Sequence, residues 1–165
     1  MHHYPLKERE ALPEKIELDE LDLRIIRELS EKARDSFREI AKRLGISTSS
    51  LINRVRRLEK EGAILGYTAT LDFAKLGYEF IAFIEVTIKK GALLDLEEKL
   101  SNMRGVVSVY DVTGASDSII FVRTKSRSEL SRLVKNILAL PEVERTNTRL
   151  VLNVVKADNM RIPGK

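Results

Sequence analysis

The segment from Ser47 to Lys60 combines hydrogen-bonding and cationic side chains at helical spacing. Leu51, Val55 and Leu58 recur at i, i+4 and i+7, which predicts an amphipathic helix with one apolar face. The opposite face carries Ser49, Ser50, Asn53, Arg56 and Arg57. Hydroxyl, amide and guanidinium groups can hydrogen-bond to base edges and neutralise phosphates. The chemistry that these residue types favour is therefore binding to a nucleic acid.

A solvated surface is the ordinary explanation for polar residues opposite an apolar stripe. Two observations favour the binding interpretation. Charges on a solvated face usually alternate in sign, whereas acids are absent here until Glu59. The side chains near the helix start are also short enough to let the backbone approach a groove. The cations of this segment are Arg54, Arg56, Arg57 and Lys60.

A shorter helical pattern precedes this helix. Its apolar stripe consists of Ile40, Ala41 and Leu44. Ser36 and Glu39 have the spacing of a capping box, Ser47 can cap the later helix, and Gly45 lies where the chain must turn between the two. Two short amphipathic helices joined at a glycine predict a helix-turn-helix, with an ordinary helical hairpin as the alternative.

Upstream of this pair, residues 18–29 also show helical spacing and predict a first helix that packs across it. The apolar positions are Leu18, Leu21, Ile25, Ile26 and Leu29. Residues 1–17 mix two prolines with charges and have no period, so we expect a flexible arm there. The helix-turn-helix domain is expected to span residues 18–63, ending near Gly62.

Composition narrows the possible functions further. The net charge of +4 and the pI near 9.3 favour an anionic partner. The chain has no cysteine, and its two histidines are the adjacent His2 and His3, so we expect no metal, no cofactor and no histidine-driven catalysis. The longest apolar run, from Phe80 to Ile84, is too short for a membrane helix, and the first residues lack a signal-peptide pattern. We therefore expect a cytoplasmic protein.

The rest of the chain predicts a second domain. Residues 64–71 alternate like a strand, which suggests a linker strand within a linker of residues 64–76. Residues 77–165 then show two similar passes of strand, helix and strand. The predicted strands cover residues 79–89, 106–112, 118–124 and 146–156, and the predicted helices cover 93–103 and 128–140. This βαββαβ order predicts a ferredoxin-like sandwich, and hence an α+β protein with an N-terminal, winged-helix-like helix-turn-helix domain.

Two helices can cover only one face of such a sheet. Residues 80–86 and 148–155 are apolar on both sides over much of their length. A sheet with this pattern is expected to bury its second face against another subunit. The sequence therefore predicts an obligate dimer.

This order of elements, together with its local motifs, resembles the Lrp/AsnC family of leucine-responsive, or feast/famine, transcription regulators. The resemblance covers about residues 18–158. The motifs that carry it are Leu21-Asp22, Phe37-Arg38-Glu39-Ile40-Ala41, Asn53-Arg54-Val55-Arg56-Arg57-Leu58-Glu59, Gly62-Ala63-Ile64, Thr113-Gly114 with Asp117, and Thr146-Asn147-Thr148.

The resemblance implies that the start of the third helix enters the major groove of DNA. Base contact would then fall to Ser47, Thr48, Ser49, Ser50 and Asn53. Arg56 and Arg57 would take phosphate or guanine, and Lys42 and Arg43 could clamp flanking phosphates. Arg54 lies nearer the apolar edge, so it could instead pack or brace the backbone.

The resemblance also implies an amino-acid effector, bound in a cleft between dimers. The residues that match this site are Gly114, Asp117, Thr146 and Thr148. The carboxylate of Asp117 could pair with the ammonium group of an amino acid. The alternative is that Gly114 and Asp117 only shape an ordinary hairpin connection, in which glycine supplies unusual dihedral angles and aspartate satisfies turn amides.

The expected function is sequence-specific DNA binding by a transcription regulator that is a dimer or a larger assembly, up to an octamer of four dimers. A nucleoid-organising protein that coats DNA is one alternative. An enzyme is another, because siroheme decarboxylases resemble the same family. The lack of imidazole and thiol groups after His3 disfavours catalysis.

Overall fold

A computed structural model describes residues 15–89 and 93–156 of the chain. These residues fall into two compact units, which meet at the Ala69–Thr70 boundary. No helix in the described ranges has the length and apolar character needed to cross a membrane. The elements are α1 Glu20–Glu31, α2 Phe37–Leu44, α3 Thr48–Lys60, β1 Phe80–Ile88, α4 Leu93–Ser101, β2 Val106–Asp111, β3 Ser118–Thr124, α5 Arg127–Leu138 and β4 Val143–Leu150.

The first unit contains α1, α2 and α3 around one apolar core. The core residues come from the three predicted stripes and are Ile25, Leu29, Ile40, Ala41, Leu44, Leu51, Val55 and Leu58. Burial of these side chains supplies the stability that helices of this length lack on their own. The predicted helix-turn-helix and its first helix are confirmed.

The caps of α2 and α3 are those that the sequence predicts. Ser36 and Glu39 form a reciprocal capping box, in which the Glu39 amide donates to Ser36 Oγ at 3.3 Å and the Ser36 amide donates to Glu39 Oε2 at 2.8 Å. Ser47 Oγ accepts from the Ser50 amide at 3.1 Å. Gly45 ends α2 with φ +71°, a left-handed conformation that glycine adopts without penalty.

The first helix lies two residues later than predicted. It begins at Glu20 because Asp19 caps it, and the carboxylates of Asp19 and Asp22 each accept from the other residue's amide. Leu18 therefore precedes the helix, which continues to Glu31 instead of ending at Leu29. The aspartate pair three residues apart is the sequence signal that marks this start.

The predicted linker strand over residues 64–71 is wrong for the chain as described, which has no strand between α3 and β1. A strand requires a hydrogen-bonded neighbour, and this segment pairs with none of the four described strands. The segment is instead attached to α3. The Ile64 amide donates to the Leu58 carbonyl at 3.1 Å, and the Tyr67 hydroxyl donates to Glu59 Oε1 at 2.8 Å.

The second unit is the predicted ferredoxin-like sandwich. Its four antiparallel strands are ordered β2-β3-β1-β4, and α4 and α5 pack against them. Inward-facing residues of the two central strands form the core together with both helices. Strand residues in this core are Ala82, Ile84 and Val86 of β1 and Ile120 and Val122 of β3.

The last strand runs from Val143 to Leu150, so its predicted extent of residues 146–156 is wrong. It starts earlier because Val143 is buried and pairs with Ile88 across an irregularity in the register. It ends at Leu150, which pairs with Ala82, two residues short of the start of β1 at Phe80. The Val151 amide makes a last hydrogen bond, to the Ile81 carbonyl at 2.8 Å. The apolar residues Leu152, Val154 and Val155 follow the strand instead of belonging to it.

The sheet face opposite the buried strand residues is open in the described chain. Phe83 is 41% exposed, and its ring lies 5.2 Å from that of Phe121. Beside them, Glu85 Oε2 accepts from Asn147 Nδ2 at 2.8 Å and Glu85 Oε1 accepts from Arg149 Nε at 2.6 Å. The hydrogen bond from Arg149 lowers the pKa of Glu85, so its carboxylate is ionised and satisfied within the chain. We refer to these five residues as the open sheet face.

Candidate functional site

The outward face of α3 is the candidate DNA-binding surface. Leu51, Val55 and Leu58 are buried beneath it. The exposed residues of the surface are Ser47, Ser49, Asn53, Arg56, Arg57 and Lys60, and Thr48, Ser50 and Arg54 are half-buried. All of the predicted base-contacting residues therefore lie in the first half of one helix or at its cap. Ser47 Oγ is partly used, since it caps the helix and lies 3.1 Å from Ser49 Oγ.

Two arginines of α3 are held by carboxylates from α1. Asp22 is buried, and its Oδ1 accepts from Arg54 Nη1 at 2.8 Å while its Oδ2 pairs with Arg57. Arg54 also donates to Asp19 Oδ2 at 2.6 Å, a hydrogen bond that lowers the pKa of Asp19. Arg54 thus braces α3 against α1, and its contact with DNA stays a prediction. The sequence did not reveal Asp19 and Asp22 as partners of these arginines, because they lie 32 to 35 positions away.

The two cations of α2 that were predicted to clamp phosphates, Lys42 and Arg43, differ in whether a carboxylate pairs with them. Arg43 pairs with Glu28 at 2.7 Å and with Asp35 at 2.8 Å, and the hydrogen bond to Glu28 raises the pKa of Arg43. Lys42 is exposed and makes no ion pair with a described residue, and the same is true of Arg56 and Lys60 in α3. The charges of these three cations, and of the exposed Arg38 in α2, are therefore available to a phosphate.

The predicted effector residues lie on two connected parts of the second unit. Gly114 is in the β2–β3 connection with φ +129°, and Asp117 ends that connection. The Asp117 amide donates to the Val86 carbonyl at 3.0 Å, and Asp117 Oδ2 accepts from the Ile88 amide at 2.7 Å. The aspartate therefore fastens the connection to the end of β1, which is the turn role that the alternative interpretation gave it. Its side chain is nevertheless exposed.

Thr146 and Thr148 lie across β1 from this aspartate. They pair with Val86 and Ile84 and occupy the same face of β4, two residues apart. One intervening strand separates them from Asp117, a distance of about 10 Å given the usual spacing of strands. Asp117 and Thr146 therefore lie on opposite sides of one short stretch of β1. Thr148 lies two residues farther along β4.

A basic helix-turn-helix surface joined to a ferredoxin-like domain defines the class of helix-turn-helix transcription regulators that carry a separate second domain. Comparison with family models gives the particular family. Residues 18–59 match the AsnC-type helix-turn-helix domain, and residues 81–160 match the Lrp/AsnC ligand binding domain. Together these matches cover most of the chain, which therefore belongs to the Lrp/AsnC family of transcription regulators.

Curated relatives agree with this assignment. The chain is 39% identical over 143 residues to an uncharacterized HTH-type transcriptional regulator of Pyrococcus furiosus, covering 87% of this chain and 97% of the relative. It is 36% identical to HTH-type transcriptional regulator FL11 of Pyrococcus horikoshii, covering 86% and 94%.

Solved structures share the fold. Escherichia coli AsnC superposes with a TM-score of 0.82 at 28% identity, over 87% of this chain and 97% of that one. A transcriptional regulator of Neisseria meningitidis, solved as its complex with L-Met, gives a TM-score of 0.81 at 26% identity, over 89% and 97%.

Proposed function

We infer that this transcription regulator binds specific DNA sequences through the outward face of α3. The observation that carries this proposal is the composition of that face, where short hydroxyl and amide side chains at the helix start are followed by exposed cations. We assign base contact to the helix start, from Ser47 to Asn53, and phosphate or guanine contact to Arg56 and Arg57. Lys42 and Arg43 flank them. Arg54 serves in our proposal as the brace against α1.

The same face favours sequence recognition over general packaging of DNA. Phosphate contacts carry no sequence information, whereas an amide such as that of Asn53 can bind the edge of an adenine. A packaging protein would need only the cations. Catalysis has no comparable support, because the described site contains no titratable group aimed into a cavity at α3.

We further propose that the second unit binds an amino acid near Gly114, Asp117, Thr146 and Thr148. The exposed Asp117 carboxylate is a partner for an ammonium group, and the hydroxyls are partners for a carboxylate. The complex of the Neisseria meningitidis regulator with L-Met supports an amino acid as the class of ligand. Asp117 already accepts one hydrogen bond, so the ligand would use the oxygen that Ile88 leaves open.

We propose that the working form is a dimer formed through the open sheet face, with four dimers as the larger assembly. One α3 per subunit would then read each half of a pseudo-palindromic site, since a twofold axis relates the two helices.

Selection from random duplex DNA tests the proposal. Purified protein at moderate salt should enrich a palindromic site, because salt limits the share of binding that comes from nonspecific phosphate attraction. Tight binding without enrichment would indicate packaging, and absence of binding would contradict DNA recognition altogether.

Arg56→Gln then tests the assigned surface on the selected site. Loss of one phosphate contact should weaken binding and reduce the slope of log K against log salt by about 1. Lys135→Gln removes an exposed cation from α5 in the other unit and should leave the slope unchanged. Equal losses in both variants would show that total charge, and not the α3 face, determines affinity.

A further inference from the structure

A polar cavity in the ferredoxin-like unit is lined by none of the residues assigned above to DNA or to the amino acid. It is a cleft of about 280 Å³ between the turn at residues 103–105, the end of β3 and the outer face of α5. We call it the basic cleft, because Arg104, Arg123, Lys125 and Arg132 line it, and among the described residues only Glu129 adds a carboxylate. The volume is close to the lower end of the range for small-molecule sites.

The backbone that forms the cleft is tightly built. Gly105 has φ +95°, and its carbonyl accepts from the Arg123 amide at 2.8 Å. A Cβ atom on Gly105 would lie 3.3 Å from the Arg123 carbonyl oxygen and 3.5 Å from Leu133 Cδ2. Only glycine allows this close approach without strain. The backbone of this turn therefore packs closely against β3 and α5. Arg104 immediately precedes Gly105 in this turn.

The single acid of the cleft is already engaged by the start of α5. Glu129 Oε2 accepts from the Lys125 amide at 2.9 Å, and the Glu129 amide donates to the capping hydroxyl of Ser126 at 3.1 Å. Arg104 and Arg132 make no ion pair with any described residue. The positive charge of the cleft is therefore not neutralised from within the described chain.

Aromatic rings, not carboxylates, hold the other two cations. The Arg123 guanidinium lies 4.0 Å from the centre of the Phe73 ring and 5.1 Å from that of Phe121, and its Nε is buried without a hydrogen-bond acceptor. Lys125 Nζ lies 5.1 Å from the centre of the Tyr78 ring. A cation–π contact fixes a side chain without cancelling its charge. Arg123 and Lys125 are thus held in position without loss of their positive charge.

The basic cleft is separate from the proposed amino-acid site. Asp117 immediately precedes β3, whereas Thr124 and Lys125 lie at its other end. At about 3.4 Å per residue, the length of β3 places the two sites about 20 Å apart. A ligand in one site would not contact the residues of the other.

We propose that the basic cleft binds a small phosphorylated metabolite carrying at least two negative charges. Guanidinium groups match phosphate oxygens in geometry and in charge, and several converging cations favour a dianion over the single carboxylate of an amino acid. Met103, Leu133 and Tyr78 provide an apolar wall for the rest of such a molecule.

Calorimetric titration of the full chain tests this site with three probes: pyrophosphate, adenosine diphosphate and citrate. We expect the first two to bind, and citrate, which carries carboxylates only, to bind at least tenfold more weakly. Arg104→Gln and Arg132→Gln should each weaken pyrophosphate binding about tenfold, the usual effect of losing a charge-assisted hydrogen bond. Arg127→Gln, which removes a cation from α5 outside the cleft, should have no effect.

Three results would overturn the proposal. Absence of pyrophosphate binding would mean that the cleft is not a phosphate site, and equal binding of citrate would mean that it does not select phosphate. An equal loss in Arg127→Gln would mean that total charge is responsible. Duplex DNA binding, measured on the same variants, separates the two proposals: a loss of DNA affinity in Arg132→Gln without any pyrophosphate binding would assign the cleft to the DNA backbone instead.

Discussion

At the scale of single residues, Asp22 connects the architecture of the first unit to its proposed function. Its carboxylate is buried at the start of α1, yet its partners Arg54 and Arg57 belong to α3. A buried carboxylate is costly unless it is paired and hydrogen-bonded, and two guanidinium groups satisfy that need. The orientation of the DNA-binding helix is therefore fixed partly by charge, in addition to the apolar core.

Replacement of this carboxylate should loosen α3. We expect Asp22→Asn to lower the free energy of unfolding of the first unit by about 2 kcal/mol, because charge-assisted hydrogen bonds to two arginines are lost. Hydrogen exchange should locate the effect, with faster exchange in α3 and no change in β1.

Glu31→Gln is the matched control for this prediction, since it removes an exposed carboxylate from the same helix. Unchanged protection of α3 in Asp22→Asn would show that the apolar core alone sets the position of the helix.

At the scale of elements, the sequence predicts correctly those features that depend on a few neighbouring residues, such as the ends of helices. Ser36, Gly45 and Ser47 mark the ends of α2 and α3, because caps and left-handed turns are interactions within one helical turn. The fold order of the second unit was predicted for a similar reason, since each strand and helix has its own period.

The elements that were predicted incorrectly depend on distant partners. Residues 151–156 have the composition of a strand, but the pairing with β1 stops at Ala82, and β4 therefore ends at Leu150. Residues 64–71 likewise have a strand pattern and no strand neighbour within the described chain. The pairing of Arg54 with Asp19 spans 35 positions, and no local pattern reveals it. Sequence periodicity indicates what a segment can form, and pairing decides where it ends.

At the scale of the whole molecule, the open sheet face governs assembly in our proposal. The helices cover one side of the sheet, and Phe83 and Phe121 are paired on the other. Contiguous apolar patches that stay exposed in a single subunit often mark surfaces that bind another protein. The sequence predicted this need for cover, although it placed residues 152–155 in the sheet.

Disruption of this face should separate the subunits. We expect Phe83→Asp to yield a monomer in sedimentation experiments, because it would remove the aromatic ring and bury a second carboxylate that must share Arg149 with Glu85. Leu138→Asp introduces the same charge at an exposed position of α5 and should leave the assembly intact. An unchanged assembly in Phe83→Asp would place the subunit contact elsewhere.

The hydrogen bonds among Glu85, Asn147 and Arg149 have a consequence for the choice of partner. Because the three side chains satisfy one another within a single subunit, a chain that covers them needs to supply no complementary charge. A surface that rejects a related partner would instead carry a charged side chain that finds no oppositely charged group in the mixed pair. In a cell that makes several related regulators, this surface would therefore permit mixed pairs, and the number of distinct DNA sites recognised could exceed the number of genes that encode the subunits.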